Sequence, residues 1–170
     1  AADFGRQRIF ENRSTVFFTN SRRGVERLAR LLNEPFPSPL VLAHHGSLSK
    51  ELRQEAESKL KKGNLKAIVA TNSLELGIDI GAIDEVVLLE TPPSIASTVQ
   101  RIGRSGHRVG ETSKGTFLPL HDTDLLDAAV AIAAIRAGKI EPTVLLDAPL
   151  DVLSQVLLSM LCTETWQLDE

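Results

Sequence analysis

Five short apolar runs, each followed by a polar turn, leave this chain little choice of fold. Residues 14–18, 40–43, 66–70, 86–89 and 115–120 are built mostly from Val, Ile, Leu, Phe, Thr and Ala, with Ser14, Lys66, Gly115 and Pro119 among them. Runs of that length and composition suit strands buried on both faces. Helical periodicity fills the gaps. Val25, Leu28, Ala29 and Leu32 recur at i, i+3, i+4, i+7, an amphipathic helix. Ser49 is placed as an N-cap ahead of Leu52, Ala56 and Leu60, with Gly63 just past the end. On that helix Glu55–Lys59 and Glu57–Lys61 are spaced as i,i+4 pairs on the wet face. A further helix starts near Ser94, and residues 122–137 form another, closed by Gly138. Strands alternating with helices in this way predict an α/β fold, a parallel sheet with right-handed crossovers. Pro119 places the fifth strand at an edge or terminal position.

Residues 1–12 read as mixed polar sequence at the end of a helix, and Pro142 and Pro149 mark a linker. Beyond it Val152, Val156, Leu157 and Met160 give residues 151–163 a helical pattern that reads as the opening of a further domain. At 170 residues the chain holds one domain and part of another, and it is expected to be a piece of something longer. The net charge of −3 supplies no global basic field, so recognition of a polyanion must come from local patches. A single cysteine, Cys162, excludes an internal disulfide and reads as a small hydrophobe near a helix end. No apolar run reaches membrane-spanning length and no signal-peptide pattern opens the chain, so a cytoplasmic location is expected, with no membrane partner.

In open parallel sheets, ligands sit outside the carboxyl ends of the strands. Here four of those ends run into Thr19-Asn20-Ser21-Arg22, His45-Gly46-Ser47, Thr71-Asn72-Ser73 and Thr91-Pro92-Pro93-Ser94. Each can donate hydrogen bonds through hydroxyl, amide or backbone N–H, the groups that hold phosphates and sugars. The alternative is that these are ordinary polar loops. The same two readings apply to Gln100-Arg101-Ile102-Gly103-Arg104-Ser105-Gly106-His107-Arg108. Its arginine forks match phosphate geometry and its glycines permit close backbone approach, or the segment is a solvated basic loop. Asp79, after the third strand, could accept from a ribose hydroxyl or be a turn aspartate. Glu75 reads as a helix-surface acid without a role.

Absences narrow the chemistry. There is no Gly-x-x-x-x-Gly-Lys-Ser/Thr loop and no acidic pair of the kind that holds magnesium beside a nucleotide. If Arg101 and Arg104 act on a triphosphate, they reach toward one bound mainly by another domain. His44, His45, His107 and His121 lack metal-ligand spacing, and no Gly-x-Ser-x-Gly elbow occurs. His121 reads as a cap or surface residue and Trp166 as packing for the following domain.

Residues 16–22, 44–49, 70–80 and 100–108 resemble, in order, motifs IV, IVa, V and VI of superfamily 2 helicases, within the second RecA-like motor lobe. The wording Thr19-Asn20-Ser21-Arg22, His44-His45-Gly46-Ser47, Leu74-Glu75-Leu76-Gly77-Ile78-Asp79 and Gly103-Arg104-Ser105-Gly106-His107 is similar to the large helicase-related (Lhr) family. His107 stands where many relatives have arginine. That supports the Lhr resemblance and leaves a second arginine finger at that position unassigned, with Arg108 one residue off.

The resemblance implies a RecA-like three-layer sheet with helices on both faces over residues 14–140. Residues 1–13 are then a partial N-terminal segment, and residues 141–170 a linker and the start of a winged-helix-like domain. It implies ATP-driven 3′ to 5′ translocation on single-stranded DNA with duplex unwinding. ATP and Mg2+ would be held mainly by the first lobe, a partner in cis. Asn20, Ser21, Arg22, His45, Gly46, Ser47 and Thr71 would contact strand phosphates. Gly77 and Asp79 would face the nucleotide, and Gln100 would couple nucleotide state to strand grip. Arg104 would be the principal finger, with Arg101 beside it. An RNA helicase lobe, or a non-catalytic nucleic-acid-binding module, are the alternative readings.

Overall fold

The computed structural model describes residues 1–75, 80–106, 112–142 and 147–166. In chain order they form α1 (Ala2–Glu11), β1 (Thr15–Phe18), α2 (Arg22–Asn33), β2 (Val41–His44), α3 (Lys50–Lys61) and β3 (Ala67–Ala70). A 3-10 turn (Asn72–Leu74), β4 (Glu85–Leu89), α4 (Ile95–Ile102), β5 (Gly115–Leu118), α5 (Asp122–Arg136) and α6 (Leu150–Thr163) follow. The five strands make one all-parallel sheet in the order β2-β3-β1-β4-β5. Thr15 pairs with Ala67 on one side and Glu85 on the other, so the three central strands start level. β5 takes the edge, and Pro119 follows directly after its last paired residue, Leu118, where a missing N–H costs no ladder bond.

Side chains alternate across the sheet with period two. Val16, Phe18, Ile68, Ala70, Val86 and Leu88 pack on one face with Ala56 and Leu60 of α3 and Ile102 of α4. Phe17, Ala67, Val69, Val87 and Leu89 pack on the other with Val25, Leu28 and Leu32 of α2 and Ile9 of α1. Helices therefore cover both faces, the three-layer arrangement expected. The expected end of a helix at residues 1–12 is a full helix, α1, and Ile9 is wholly buried. Arg8 ties α1 to the sheet by donating from Nε to Glu85 Oε2 at 2.7 Å.

Ser21, Ser49 and Ser94 cap α2, α3 and α4, each hydroxyl accepting a first-turn N–H. Glu55 pairs with Lys59 at 2.6 Å as the spacing requires. Glu57, expected on the wet face, instead turns inward to His44 Nε2 at 2.8 Å. The reason is tertiary: His44 ends β2 fully buried beneath α3 and takes the nearest carboxylate. α6 buries no residue, and Leu153, Leu157 and Leu161 stand in solvent. Among the described residues no helix is long and apolar enough to cross a membrane.

Candidate nucleic-acid and nucleotide interface

The strand ends open into a cleft of about 350 Å³ at the carboxyl edge of the sheet, lined by Thr19, Asn20, Arg22, Thr71, Asn72, Glu75, Pro93, Ser97 and Arg101. This is where the central strands β1, β3 and β4 end, with β1 in the middle of the sheet. Thr19 Oγ1 donates to the Ser21 carbonyl at 2.8 Å, bending the chain so that Ser21 can cap α2. Asn20 and Arg22 are thereby left exposed on either side of the cap. Arg22 carries no ion pair with a described residue and is available to an anion.

At the end of β2 the two histidines face inward. His44 Nδ1 lies 2.8 Å from Ser73 Oγ, which also donates to the His44 carbonyl at 3.0 Å. Burial pushes the His44 imidazole below its ordinary value, and the hydrogen bond to Glu57 only partly offsets this. The neutral ring donates from Nε2 to Glu57, and the single Ser73 hydroxyl hydrogen is shared between Nδ1 and the His44 carbonyl. His45 is also buried, with Nε2 2.7 Å from Glu26 Oε1. Its side chain is therefore turned from open solvent, and the outward surface at this turn is made by Gly46 and Ser47. A Cβ at Gly46 would meet nothing within 4 Å, so the backbone there is open to close approach. Thr71 lies at the cleft floor, its N–H donating to the His44 carbonyl at 3.3 Å.

Arg101 is the least expected member. It is 3% exposed. Its Nε donates to Glu75 Oε1 at 2.7 Å, its Nη1 to Asn20 Oδ1 at 3.0 Å, and its Cζ lies 5.3 Å from the centroid of the Phe18 ring. Glu75 Oε1 also accepts from Ser97 Oγ at 2.9 Å, and Asn20 Nδ2 donates to the Thr91 carbonyl at 2.8 Å. Expected beside Arg104 at a nucleotide, Arg101 is instead engaged beneath the cleft. Arg104, past the end of α4, has only a long hydrogen bond from Nε to the Gln100 carbonyl at 3.4 Å. No described carboxylate pairs with it. Gln100 is exposed on the last full turn of α4. α4 thus bears one arginine committed inward, and the turn just past it bears one left available to a ligand.

Beyond Arg104 the chain is closed off tightly. Ser105 Oγ accepts from the Lys114 N–H at 2.8 Å. Gly106, at φ 69°, would put a Cβ 2.9 Å from the Thr112 backbone. This glycine is required by the return into β5 rather than by a ligand. Gly77, Asp79, His107 and Arg108 lie outside the described residues. Two acids at the rim had no sequence signal. Asp124 accepts from the Thr91 and Leu120 N–H groups at 2.6 and 3.0 Å. Burial opposes its ionisation, but these donors win and hold its carboxyl below the usual range. Glu141 accepts from the first two N–H groups of α4, Ile95 and Ala96, at 2.6 and 3.0 Å. Thr91 lies 33 residues from Asp124 and Ile95 lies 46 from Glu141, beyond the reach of local patterns, whereas Leu120 is a local partner four residues from Asp124. No described group of three or more His, Cys, Asp or Glu side chains could hold a metal ion.

Residues 7–109 match the family model of the helicase conserved C-terminal domain. The chain belongs to that family. Its relatives include ATP-dependent helicase Lhr-Core protein 2 of Thermococcus barophilus, 46% identical over 95% of this chain. Lhr-Core of Methanothermobacter thermautotrophicus is 43% identical over the same share. The chain spans only 19% of the length of each. Among solved structures, Mycobacterium smegmatis helicase Lhr bound to ssDNA and AMP-PNP superposes with a TM-score of 0.91 at 44% identity, covering 99% of this chain and 23% of that one. The E. coli DEAD-box protein SrmB matches at TM-score 0.64 and 23% identity, covering 85% and 83%, a likeness of fold alone. The lobe described here is a RecA-like helicase C-terminal domain, similar in sequence to helicases named Lhr.

Proposed function

We propose that this lobe is the second half of an ATP-dependent motor that moves 3′ to 5′ along single-stranded DNA and separates duplexes. The observation that carries the reading is the open edge of the sheet. Asn20, Arg22 and Thr71 line the cleft where β1 and β3 end, Gly46 and Ser47 follow the neighbouring β2, and Arg104, with no carboxylate partner among the described residues, lies just past α4. The 44% identity to an Lhr helicase bound to ssDNA and AMP-PNP supports it.

In this reading Asn20, Arg22, Gly46, Ser47 and Thr71 donate to strand phosphates from side chain and backbone. Ser21 contributes its backbone, because its hydroxyl caps α2, and His45 shapes the turn from within. ATP, with Mg2+, supplies the free energy of stepping and is held mainly by a first lobe in cis. This lobe's residues fit one side of that site. Among the described residues Arg104 meets no acidic partner, and a guanidinium so left is the chemistry of an arginine finger. Gln100 lies one turn back, placed to couple the two sites, and Gly77 and Asp79 complete the nucleotide-facing side. Residues 14–140 with α1 form the lobe, and residues 141–170 lead into the next domain. Because the contacts are to phosphate, affinity should be nearly independent of sequence and should weaken with salt.

The experiment compares the 170-residue chain with the full-length protein. The expected result is strand-stimulated ATP turnover by the full-length protein and none by the lobe alone. Turnover by the lobe alone would refute the division of the site. RNA as the preferred strand would appear as stronger stimulation by single-stranded RNA than by DNA.

A further inference from the structure

The sequence assigns no role to Glu75, yet the structure links three strand exits and α4 through it. Its Oε1 accepts from Arg101 Nε at 2.7 Å and from Ser97 Oγ at 2.9 Å. Arg101 carries the connection on to Asn20 Oδ1 at 3.0 Å, and Asn20 Nδ2 continues it to the Thr91 carbonyl at 2.8 Å. The guanidinium lies over the Phe18 ring at 5.3 Å. One continuous chain of hydrogen bonds, charge-assisted at Glu75 and Arg101, therefore joins the 3-10 turn after β3, the body of α4, the exit of β1 and the exit of β4. Every link is long-range or crosses elements, and Arg101 is 3% exposed at its centre.

We propose that Glu75 and Arg101 form a positioning strut that holds Asn20 and the cleft floor in the geometry that grips the strand. Arg101 thus belongs to strand binding and only Arg104 serves the nucleotide. The physical argument has three parts. A buried arginine is costly unless its donors are met by a carboxylate, and Glu75 meets that need at bonding distance. Asn20 Nδ2 gives one hydrogen to the Thr91 carbonyl, and holding the amide carbonyl on Arg101 fixes where the second hydrogen points. The planar fork fixes direction as well as charge, so lysine cannot replace it without losing one arm. Arg101 sits in the last turn of α4 and Arg104 two residues past its end, so a shift felt at one is transmitted to the other through the helix terminus.

The inference rests on reading the lobe as half of a strand-driven motor. Its test uses the full-length protein, with single-stranded DNA varied against ATP turnover. Arg101→Lys is expected to raise the DNA concentration for half-maximal stimulation about tenfold, equivalent to about 1.4 kcal/mol, with kcat at saturating DNA within about threefold. Ser97→Ala removes one support of Glu75 with little volume change. It is expected to shift the same midpoint in the same direction by about threefold, which covers the case in which Arg101→Lys does not fold. Arg101→Lys combined with Asn20→Ala should cost no more than Asn20→Ala alone, since both act on one contact. Loss of kcat in Arg101→Lys with an unchanged DNA midpoint would place Arg101 at the nucleotide and overturn the strut. Unchanged midpoints in both Arg101→Lys and Ser97→Ala would overturn it too. Absence of strand-stimulated turnover in the unsubstituted protein would instead overturn the motor reading, and the strut's role with it.

Discussion

A carboxylate with no solvent exposure at the head of β4 is tolerable only because donors surround it. Glu85 Oε2 accepts from Arg8 and Asn12, each at 2.7 Å, and Oε1 from Thr116 at 2.7 Å. Burial alone would raise its pKa, but these partners outweigh burial and hold it below the ordinary value. Glu85→Ala would strand Arg8, Asn12 and Thr116 at once. The expected cost is about 3–5 kcal/mol, read from urea unfolding of the chain; a loss under about 1 kcal/mol would mean that water replaces the carboxylate. Titration separates His44 from the acids. Its folded pKa is lowered, so the stability it supports is complete above 6.5 and is lost as pH falls through its folded value. The lowered carboxylates Glu85 and Asp124 begin to lose theirs only below 4.5 and 3.8. A fall in urea midpoint between pH 6.5 and 4.5 is therefore expected, and His44→Gln should flatten it. An unchanged slope in that variant would count against a neutral buried ring.

At the level of elements, most of the fold was legible because burial on both faces writes itself as continuous apolar strands, and caps as serines. Ser49 caps α3 as expected, Ser94 caps α4 where a helix was expected to start, and Pro119 marks the edge. What the sequence hid were the tertiary choices of polar residues. Glu57 left its helical neighbour for His44, and Glu141 crossed from the linker to the head of α4. α6 is the converse case, an apolar pattern with nothing to cover it within the described residues. Since it buries no residue, a chain ending at residue 142 keeps Glu141 and should lose little stability. The expected change in unfolding free energy is within about 0.5 kcal/mol, with less self-association on size exclusion. A large loss of stability would show that α6 supports the lobe.

For the whole molecule, the carboxyl ends of parallel strands announced where a ligand would sit, and four motifs in order announced the family. Which arginine does what could not be read from spacing. Arg101 and Arg104 are three residues apart and identical in chemistry, and only burial, Glu75 and Phe18 distinguish them. The glycines misled in the same way: Gly106 serves the backbone's return to β5, whereas Gly46 faces open space.

The central claim is that this lobe completes a nucleotide site it does not itself hold, and that Arg104 is what it contributes. The direct measurement is strand-stimulated ATP turnover of full-length Arg104→Ala, alongside its affinity for single-stranded DNA. The account predicts a fall in kcat of about 10³-fold or more, with strand affinity within about threefold of the unsubstituted protein. Turnover that survives the substitution, or strand affinity lost together with it, would contradict the account.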